Sequence, residues 1–266
     1  DLFMKKWLHL EGMRSVMKYK KIFILGGTTE GRMLAEYLIR KDVEVWLSVA
    51  TDYGKEQMHH TEGIYLIEER LDERAMLQLL KEKQFDCVLD ATHPYAQLVT
   101  QNIKSACEKV GVLYKRIIRE SYDKEEGIYY FDNVAEIVHF LSQVEGDVLL
   151  TTGSKDLASF TLLNHYEQRL YVRMLPMPKG IEIAISLGYQ MSHLICMQGP
   201  FSYEMNKALL RHVKAKYLVT KDSGDIGGMQ DKVRAAKALG VEVICLTRPV
   251  KEEGLRLEQI YQWLEE

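Results

Sequence analysis

Two patterns of apolar positions alternate along this chain. Short, mostly apolar runs such as 22–25 and 87–90 are typical of buried strands. The segments between them, such as 29–40, carry apolar residues at helical spacing, as Leu34 and Leu38 illustrate. Alternation of this kind predicts repeated β-α-β units and a mostly parallel sheet.

The alternation continues almost to the end of the chain. Strands are predicted at 22–25, 43–49, 64–67, 87–90, 112–116, 148–151, 170–174, 193–197, 217–220 and 241–246. Helices are predicted at 29–40, 72–83, 95–110, 132–140, 155–163, 179–187, 202–213, 232–239 and 255–263, with Asp132 as one N-cap and the last helix on a sheet edge.

The pattern restarts after a charged, glycine-ended segment at 120–127. We therefore predict an α/β protein with two Rossmann-like domains, mostly parallel sheets and a cleft between them. Residues 21–140 are expected to bind a nucleotide, and residues 141–266 to form the second domain. The basic stretch 1–20 lacks a continuous apolar core and is expected to be an N-terminal extension or an expression remnant.

Composition narrows the class of protein. The 266 residues are 47% hydrophobic and carry a net charge of −3, which is ordinary for a globular protein and gives no basic footprint for nucleic acid. No apolar run approaches the roughly 20 residues that span a bilayer. The four cysteines form no C-x-x-C pair, which favours a reducing cytoplasm and no metal site.

The first candidate site directly follows the predicted strand 22–25. A glycine turn between a buried strand and a helix start exposes backbone N–H groups and favours a phosphate. The turn departs from the G-x-G-x-x-G pattern, because Thr28 stands where that pattern has its second glycine. An ordinary capped β–α turn is the alternative. The expected cofactor-binding residues here are Gly26, Gly27, Thr28, Thr29, Glu30, Gly31 and Arg32.

Further chemistry is expected where the other strands end. Residues 90–96 (Asp-Ala-Thr-His-Pro-Tyr-Ala) contain His93 and Tyr95, which either contact a substrate or belong to a rigid turn. In the second half, glycine turns at 151–155 and 220–228 are rich in donors. Cations recur at these ends, namely Lys155, Arg173, Lys221, Lys232 and Arg248, which suggests a ligand with several carboxylates.

Taken in order, these loops resemble the precorrin-6A reductase family of cobalamin biosynthesis. The resemblance spans about residues 20–250 and is most specific at 90–94 (Asp-Ala-Thr-His-Pro) and 220–224 (Thr-Lys-Asp-Ser-Gly). It implies two Rossmann-like domains and an oxidoreductase that acts on a CH–CH group. Hydride would pass from NAD(P)H to C19 of precorrin-6A, or of its cobalt complex, with a proton added at C18.

The resemblance also implies roles for single residues. Thr51 would lie near the adenosine ribose, and His93 and Tyr95 would be the catalytic residues. The residues expected to bind substrate are Thr152, Gly153, Ser154, Lys155, Arg173, Lys221, Asp222, Ser223, Gly224 and Lys232. NADPH is the expected cofactor, with NADH as the alternative, because no acid ends the second strand.

The expected partner is a small tetrapyrrole, in the cytoplasm, with no nucleic acid, no membrane and no metal ligands. Contacts with neighbouring pathway enzymes are left open. Two other functions remain alternatives at this point. A two-domain sugar-nucleotide transferase would hold its nucleotide in the second half, whereas a nucleotide-sensing protein would leave the second-half loops idle.

Overall fold

A computed structural model describes residues 17–49, 62–118, 124–222, 228–248 and 253–266. The chain divides into two compact units, Asp1–Arg119 with Glu252–Glu266, and Glu120–Lys251. The elements of the first unit are β1 (Lys21–Leu25), α1 (Thr29–Ile39), β2 (Glu44–Ser48), β3 (Ile64–Ile67), α2 (Glu73–Lys83), β4 (Cys87–Asp90), α3 (Gln97–Val110), β5 (Leu113–Arg116) and α10 (Leu257–Glu265).

The sheet of the first unit has the order β3-β2-β1-β4-β5, and all of its pairs are parallel. Successive residues of β1 point to opposite faces, so that Ile22 and Ile24 join one buried cluster while Phe23 and Leu25 join another. The direction of winding reverses between β1 and β4. The loops that follow these two strands therefore flank the point where open α/β sheets bind ligands.

The second unit is built in the same way. Its elements are β6 (Ile128–Phe131), α4 (Val134–Ser142), β7 (Val148–Leu150), α5 (Leu157–Phe160), α6 (Tyr166–Arg169), β8 (Leu170–Met174), α7 (Pro178–Ser186), β9 (Leu194–Cys196), α8 (Tyr203–His212), β10 (Tyr217–Lys221), α9 (Met229–Lys237) and β11 (Glu242–Leu246). The strand order is β6-β11-β10-β7-β8-β9, again with parallel pairs. Winding reverses between β7 and β10, which defines the switch point of this sheet.

The prediction of an α/β fold with two parallel sheets is confirmed, but the predicted domain boundaries are wrong. Residues 128–131 form β6, which pairs with β11 in register from Ile128 opposite Val243. The C-terminal helix α10 belongs to the first unit, where Ile260 and Leu264 are fully buried in the cluster beneath α1. Neither 21–140 nor 141–266 is therefore one structural unit.

Two helix predictions also need correction. The segment predicted as one helix at 155–163 contains only the four-residue α5, within a series of turns. The helix predicted to begin at Asp132 is capped one residue later, because Asn133 accepts a hydrogen bond from the Glu136 N–H at 2.9 Å. Asp132 instead accepts from the Thr247 hydroxyl at 2.7 Å.

Candidate functional site

The glycine turn after β1 is shaped by three close approaches. The Gly26 N–H donates to the Ser48 carbonyl at 2.9 Å, and a Cβ on Gly26 would lie 2.8 Å from the Leu47 side chain. A Cβ on Gly31 would lie 3.2 Å from the Ala91 Cβ, so this glycine lets α1 pack tightly against the strand ends. These contacts hold the start of α1 directly beyond β1.

Gly27 differs from these two glycines. Its φ is +103°, a conformation that L side chains rarely adopt. Within the described part of the chain, no atom lies within 4 Å of the place where its Cβ would stand. The turn therefore presents bare backbone to open space at the N-terminus of α1, where the helix dipole favours an anion.

Thr28 supports this turn from within the protein. Its side chain caps α1 by accepting from the Gly31 N–H at 3.3 Å, and its hydroxyl donates to the Ala91 carbonyl at 2.7 Å. The hydroxyl proton is thus used to join the turn to the loop after β4. Thr29 is exposed at the first position of the helix, and its hydroxyl is the one better placed for a ligand.

A buried ionic cluster fixes the loop that follows β4. The Asp90 carboxylate is fully buried and lies 2.7 Å from the Arg116 guanidinium. It also accepts from the Tyr114 hydroxyl at 2.9 Å and from the Thr92 hydroxyl at 2.8 Å. Burial and the Asp90 carboxylate both raise the pKa of Tyr114, which therefore remains a donor. Asp90 is consequently an anchor for the residues beyond it.

His93 and Tyr95, the predicted catalytic residues, lie on this anchored loop. Their rings are 5.5 Å apart, and His93 Nδ1 accepts from the Tyr95 N–H at 3.3 Å. This bond assigns the proton of the neutral imidazole to Nε2. A narrow cleft beside the loop is lined by Thr28, Glu30, Ala91, Thr92, Pro94 and Ile117.

Two charged residues of the corner have different surroundings. Glu30 lies in the first turn of α1 and is only 3% exposed, where the helix dipole stabilises its carboxylate. Arg32 is partly exposed, and its Nε lies 3.8 Å from the Glu36 carboxylate one turn later. The structure therefore brings residues 26–32 and the loop with His93 together at one switch point.

The corresponding turn of the second unit follows β7. Thr151 is tied to β10 because its hydroxyl donates to the Val219 carbonyl at 2.9 Å. Thr152 is buried, and among the described residues its hydroxyl oxygen has no hydrogen-bond partner. Gly153 has a φ of +82°, and no atom of the described residues lies within 4 Å of the position of its missing Cβ. Ser154 packs near Gly180, and Lys155 is exposed.

Arg173 is the most unusual cation of the second unit. It is 5% exposed, and its Nη1 donates to the Asn206 side-chain oxygen at 2.7 Å. Its guanidinium carbon lies 4.1 Å from the centre of the Phe201 ring. Burial lowers the pKa of Arg173 to about 10, so that it remains charged at neutral pH. Among the described residues no carboxylate pairs with it.

Lys232 lies on α9 near Arg173. Its ammonium group is 3.5 Å from the Thr220 hydroxyl at the end of β10. Burial lowers the pKa of Lys232 to about 8, and repulsion by Arg173 adds to the decrease. Lys232 and Arg173 therefore lie close enough for their positive charges to oppose one another.

Two other predicted cations lie close to carboxylates. Lys221 is 2.7 Å from the Asp156 carboxylate, and Arg248 is 3.3 Å from the Asp222 carboxylate. Asp222, a predicted substrate residue, is therefore bonded within the protein and is 8% exposed. These pairs weaken the case for Lys221 and Asp222 as direct ligands.

Three predicted site residues, Thr51, Ser223 and Gly224, lie outside the described residues. Within the described ranges, the structure has no group of three or more His, Cys, Asp or Glu side chains arranged for a metal ion. In the same ranges no helix is both long and apolar enough to cross a bilayer.

Sequence reasoning missed Asn206 and Arg116. Asn206 lies four residues before the buried Leu210 on the same face of α8, so a polar residue at a core-facing position was a usable signal. Arg116 ends a predicted strand, and a buried charge there implies a partner. Neither signal identifies the partner, which lies 33 residues away for Asn206 and 26 residues away for Arg116.

The family of this chain follows from comparisons with known proteins. The family model described as "Precorrin-6x reductase CbiJ/CobK" matches residues 21–265. A cobalt-precorrin-6A reductase of Salmonella typhimurium is 35% identical over 86% of this chain and 87% of its own length. Another from Priestia megaterium is 33% identical over 88% and 92%, respectively.

A solved structure supports the fold. It is titled "CobK precorrin-6A reductase" and superposes with a TM-score of 0.73 at 24% identity, covering 92% of this chain and 96% of the other. The family match extends over both units and includes β6 and the whole of α10. The chain therefore belongs to the precorrin-6A reductase family, a family of oxidoreductases of cobalamin biosynthesis that act on a CH–CH group.

Proposed function

We propose that this chain reduces precorrin-6A, or its cobalt complex, with NADPH bound at residues 26–32 and with substrate carboxylates bound in the second unit. Membership in a reductase family supports a nicotinamide cofactor. The observation that carries the proposal is the Gly27 turn, where backbone with a φ of +103° faces open space at a helix N-terminus.

The residues at the first corner fit a dinucleotide. The backbone at Gly27 leaves room for a pyrophosphate, and Thr29 would add a hydroxyl donor. Glu30 is a buried carboxylate that a phosphate would repel, so it is suited to accept from a ribose hydroxyl. When bound, the nicotinamide supplies the hydride.

We assign His93 and Tyr95 to positioning the reacting groups. The Asp90–Arg116 pair fixes their loop, and the bond to Tyr95 leaves the His93 Nε2 proton as a donor. The reaction needs one proton besides the hydride. His93 would supply that proton only from its imidazolium form, in which Nδ1 no longer accepts from Tyr95, and solvent is the other source.

The second unit would hold the macrocycle by its carboxylates. Arg173 and Lys232 would be the main contacts, because Asn206 and Phe201 leave the charge of Arg173 uncompensated among the described residues. The turn at 152–155 would contribute hydroxyl and backbone donors. Lys221 would add less, since its charge is shared with Asp156.

NADPH is proposed over NADH because β2 ends in Ser48, where NAD-binding folds usually carry an acid. Arg32 is a nearby cation for the extra phosphate. Turnover can be measured with precorrin-6A and with cobalt-precorrin-6A, each with NADPH and with NADH, from the loss of absorbance of the reduced cofactor. These assays test the choice of cofactor and the choice of substrate. Equal rates with the two cofactors, or a preference for NADH, would contradict the cofactor assignment.

The chain offers a matched pair of glycines for testing the corner. Gly27 and Gly111 both have positive φ, and neither has a described atom within 4 Å of its missing Cβ. Alanine at either position costs about 1 kcal/mol of strain. We expect Gly27→Ala to weaken NADPH binding at least about tenfold in a fluorescence titration, because a Cβ would occupy the phosphate site. Gly111→Ala keeps the affinity, and equal affinity in both variants would remove the corner from the site.

A further inference from the structure

Three exposed apolar side chains lie at the carboxyl edge of β8 and β9. Leu175 directly follows β8, Met197 directly follows β9, and Met205 lies in the first turn of α8. They are 42%, 37% and 40% exposed, respectively, so each keeps a large part of its apolar surface in water. We call these three residues the apolar shelf.

The register of the sheet places two members of the shelf beside each other. In the last pair of β8 and β9, Met174 lies opposite Cys196. The Met197 N–H then donates to the Met174 carbonyl at 3.0 Å, which continues the parallel ladder by one residue. Leu175 therefore lies opposite Met197, and the two side chains form one continuous apolar surface.

The shelf begins where the cover of the sheet by α8 ends. Side chains two positions apart along a strand point to the same face. Tyr171 and Arg173 therefore share a face of β8, and Leu175 continues their spacing. Tyr171 packs in the buried cluster that contains Leu210 of α8, and Arg173 bonds to Asn206 of the same helix. Beyond these contacts the same face of the sheet is exposed.

A buried cation adjoins the shelf. Arg173 stands two residues before Leu175, and its Nη1 donates to the side chain of Asn206, the residue after Met205. Among the described residues no carboxylate pairs with Arg173. One short stretch of the carboxyl edge thus combines an open apolar surface with a positive charge that lacks an anion.

We propose that the apolar shelf contacts the ring of the tetrapyrrole while Arg173 binds one of its carboxylates. The proposal rests on the proposed function, since it concerns the same substrate. A tetrapyrrole has a broad, largely apolar ring with carboxylates at its periphery, so one molecule satisfies both features. An apolar protein surface would cover the shelf but would leave Arg173 without an anion.

The two contacts have different physical roles. The shelf removes apolar ring surface from water, which contributes affinity without fixing a direction. Methionine side chains are flexible and fit an irregular surface, which suits a puckered macrocycle. The charged hydrogen bond from Arg173 is directional and orients the ring on the shelf. Recognition therefore depends on the ring as well as on its carboxylates.

Methionine methyl groups report on the shelf in the unsubstituted protein. The full-length protein, labelled with ¹³C in its methionine methyl groups and saturated with NADP⁺, is titrated with metal-free precorrin-6A. Variants with leucine at 191, 197 or 205 assign the signals. At saturation we expect nuclear Overhauser contacts between the macrocycle and the methyls of Met197 and Met205, and none from Met191, which precedes β9. Absence of contacts from both shelf methionines overturns the proposal.

Polar substitutions of similar shape measure the contribution of the shelf. Leu175→Asn, Met197→Gln and Met205→Gln should each weaken precorrin-6A binding about fivefold, and the triple variant at least about 30-fold, with NADPH affinity unchanged. The heat capacity change of binding should become less negative in the triple variant, because less apolar surface is buried. Leu162→Asn and Met191→Gln are matched controls, 78% and 73% exposed, and should keep affinity within about twofold.

The outcomes separate the two proposals. If the wild-type protein binds precorrin-6A and the triple variant binds it within about twofold of that affinity, the shelf proposal is overturned and the proposed function stands. If the wild-type protein does not bind precorrin-6A, the proposed function is contradicted and the shelf proposal falls with it. If sedimentation without substrate shows a wild-type dimer that the triple substitution dissociates, a second copy covers the shelf, and the proposal is overturned.

Discussion

Arg116 in the first unit and Arg173 in the second are both buried and lie near the carboxyl end of a parallel strand. Their partners differ. Arg116 lies 2.7 Å from the Asp90 carboxylate, whereas Arg173 contacts the neutral amide of Asn206 and the face of Phe201. This difference in charge compensation is the basis on which we propose a structural role for Arg116 and a ligand-binding role for Arg173.

A buried charge is expensive unless an opposite charge accompanies it. In the first unit the compensating charge is part of the chain, and the pair anchors the loop that carries His93. In the second unit the described residues supply no carboxylate for Arg173. We infer that the fold accepts this cost because a carboxylate of the substrate completes the pair.

The largest expected effect comes from breaking the compensated pair. Asp90→Asn keeps the shape of the side chain but leaves Arg116 charged and buried. We expect the free energy of unfolding to fall by about 3–5 kcal/mol, measured by urea denaturation. Replacing both residues, as Asp90→Asn with Arg116→Met, should recover much of that loss, because no unpaired charge remains.

If Asp90→Asn lowered the free energy of unfolding by less than about 1 kcal/mol, the comparison between Arg116 and Arg173 would fail. It would mean that the Arg116 charge is satisfied without Asp90, and that the ion pair is no guide to structural roles. Asp132→Asn serves as an exposed control. Among the described residues its carboxylate accepts a hydrogen bond from the Thr247 hydroxyl, so the expected cost of the substitution is within about 1 kcal/mol.

Removing the uncompensated charge of Arg173 should affect substrate binding rather than stability. Arg173→Met is expected to leave the free energy of unfolding unchanged or to raise it by up to about 2 kcal/mol, because a buried charge is replaced by an apolar side chain. Affinity for precorrin-6A should fall by about 2–3 kcal/mol, or roughly 30- to 150-fold, in a titration with NADP⁺ present. NADPH affinity should not change.

Arg169 offers a matched control within the same unit. Its guanidinium donates to the carbonyls of Leu141, Val144 and Gly146, at 2.8 to 3.2 Å, and so ties two segments together. Arg169→Met should lower stability by about 1–3 kcal/mol without altering substrate affinity. If Arg173→Met behaves like Arg169→Met, Arg173 is structural and the distinction between Arg116 and Arg173 fails.

The sequence predicted the local parts of both sites and missed their long-range partners. The turn at 26–32 follows from a strand, glycines and a helix start that are adjacent in the chain. The partners of Arg173 and Arg116 depend on which helix or strand folds against them, and no local pattern specifies that. The same limit explains α10, whose apolar stripe predicts a buried face but does not say which sheet it covers.

A third prediction tries to convert Arg173 into an arginine like Arg116. Asn206→Asp places a carboxylate where the amide oxygen now lies 2.7 Å from Arg173. The internal carboxylate should compete with that of the substrate, and affinity for precorrin-6A should fall about tenfold, by about 1.4 kcal/mol. The exposed Asn164→Asp adds the same charge elsewhere in the unit and should leave affinity within about twofold.

The stability of Asn206→Asp adds a second measurement. The amide now donates to the carbonyls of Phe201 and Ser202 at 3.0 and 2.9 Å, and an aspartate loses both bonds. The new ion pair offsets that loss, so we expect a change of less than about 1.5 kcal/mol on urea denaturation. Unchanged substrate affinity in a folded variant would show that Arg173 does not meet the substrate.

The smallest effect is expected at Lys221, which lies in the same region but already has a carboxylate beside it. Because its ammonium is 2.7 Å from Asp156, moving it to a substrate carboxylate exchanges one ion pair for another and yields little net free energy. Lys221→Met should therefore weaken precorrin-6A binding less than about threefold, or about 0.7 kcal/mol. Part of this loss would come from the Asp156 carboxylate, which Lys221→Met leaves without its ion-pair partner. The double variant Lys221→Met with Asp156→Asn removes that negative charge and should restore the affinity. A loss as large as that of Arg173→Met would mean that Lys221 leaves Asp156 when the substrate binds, and that compensation within the chain does not identify structural cations.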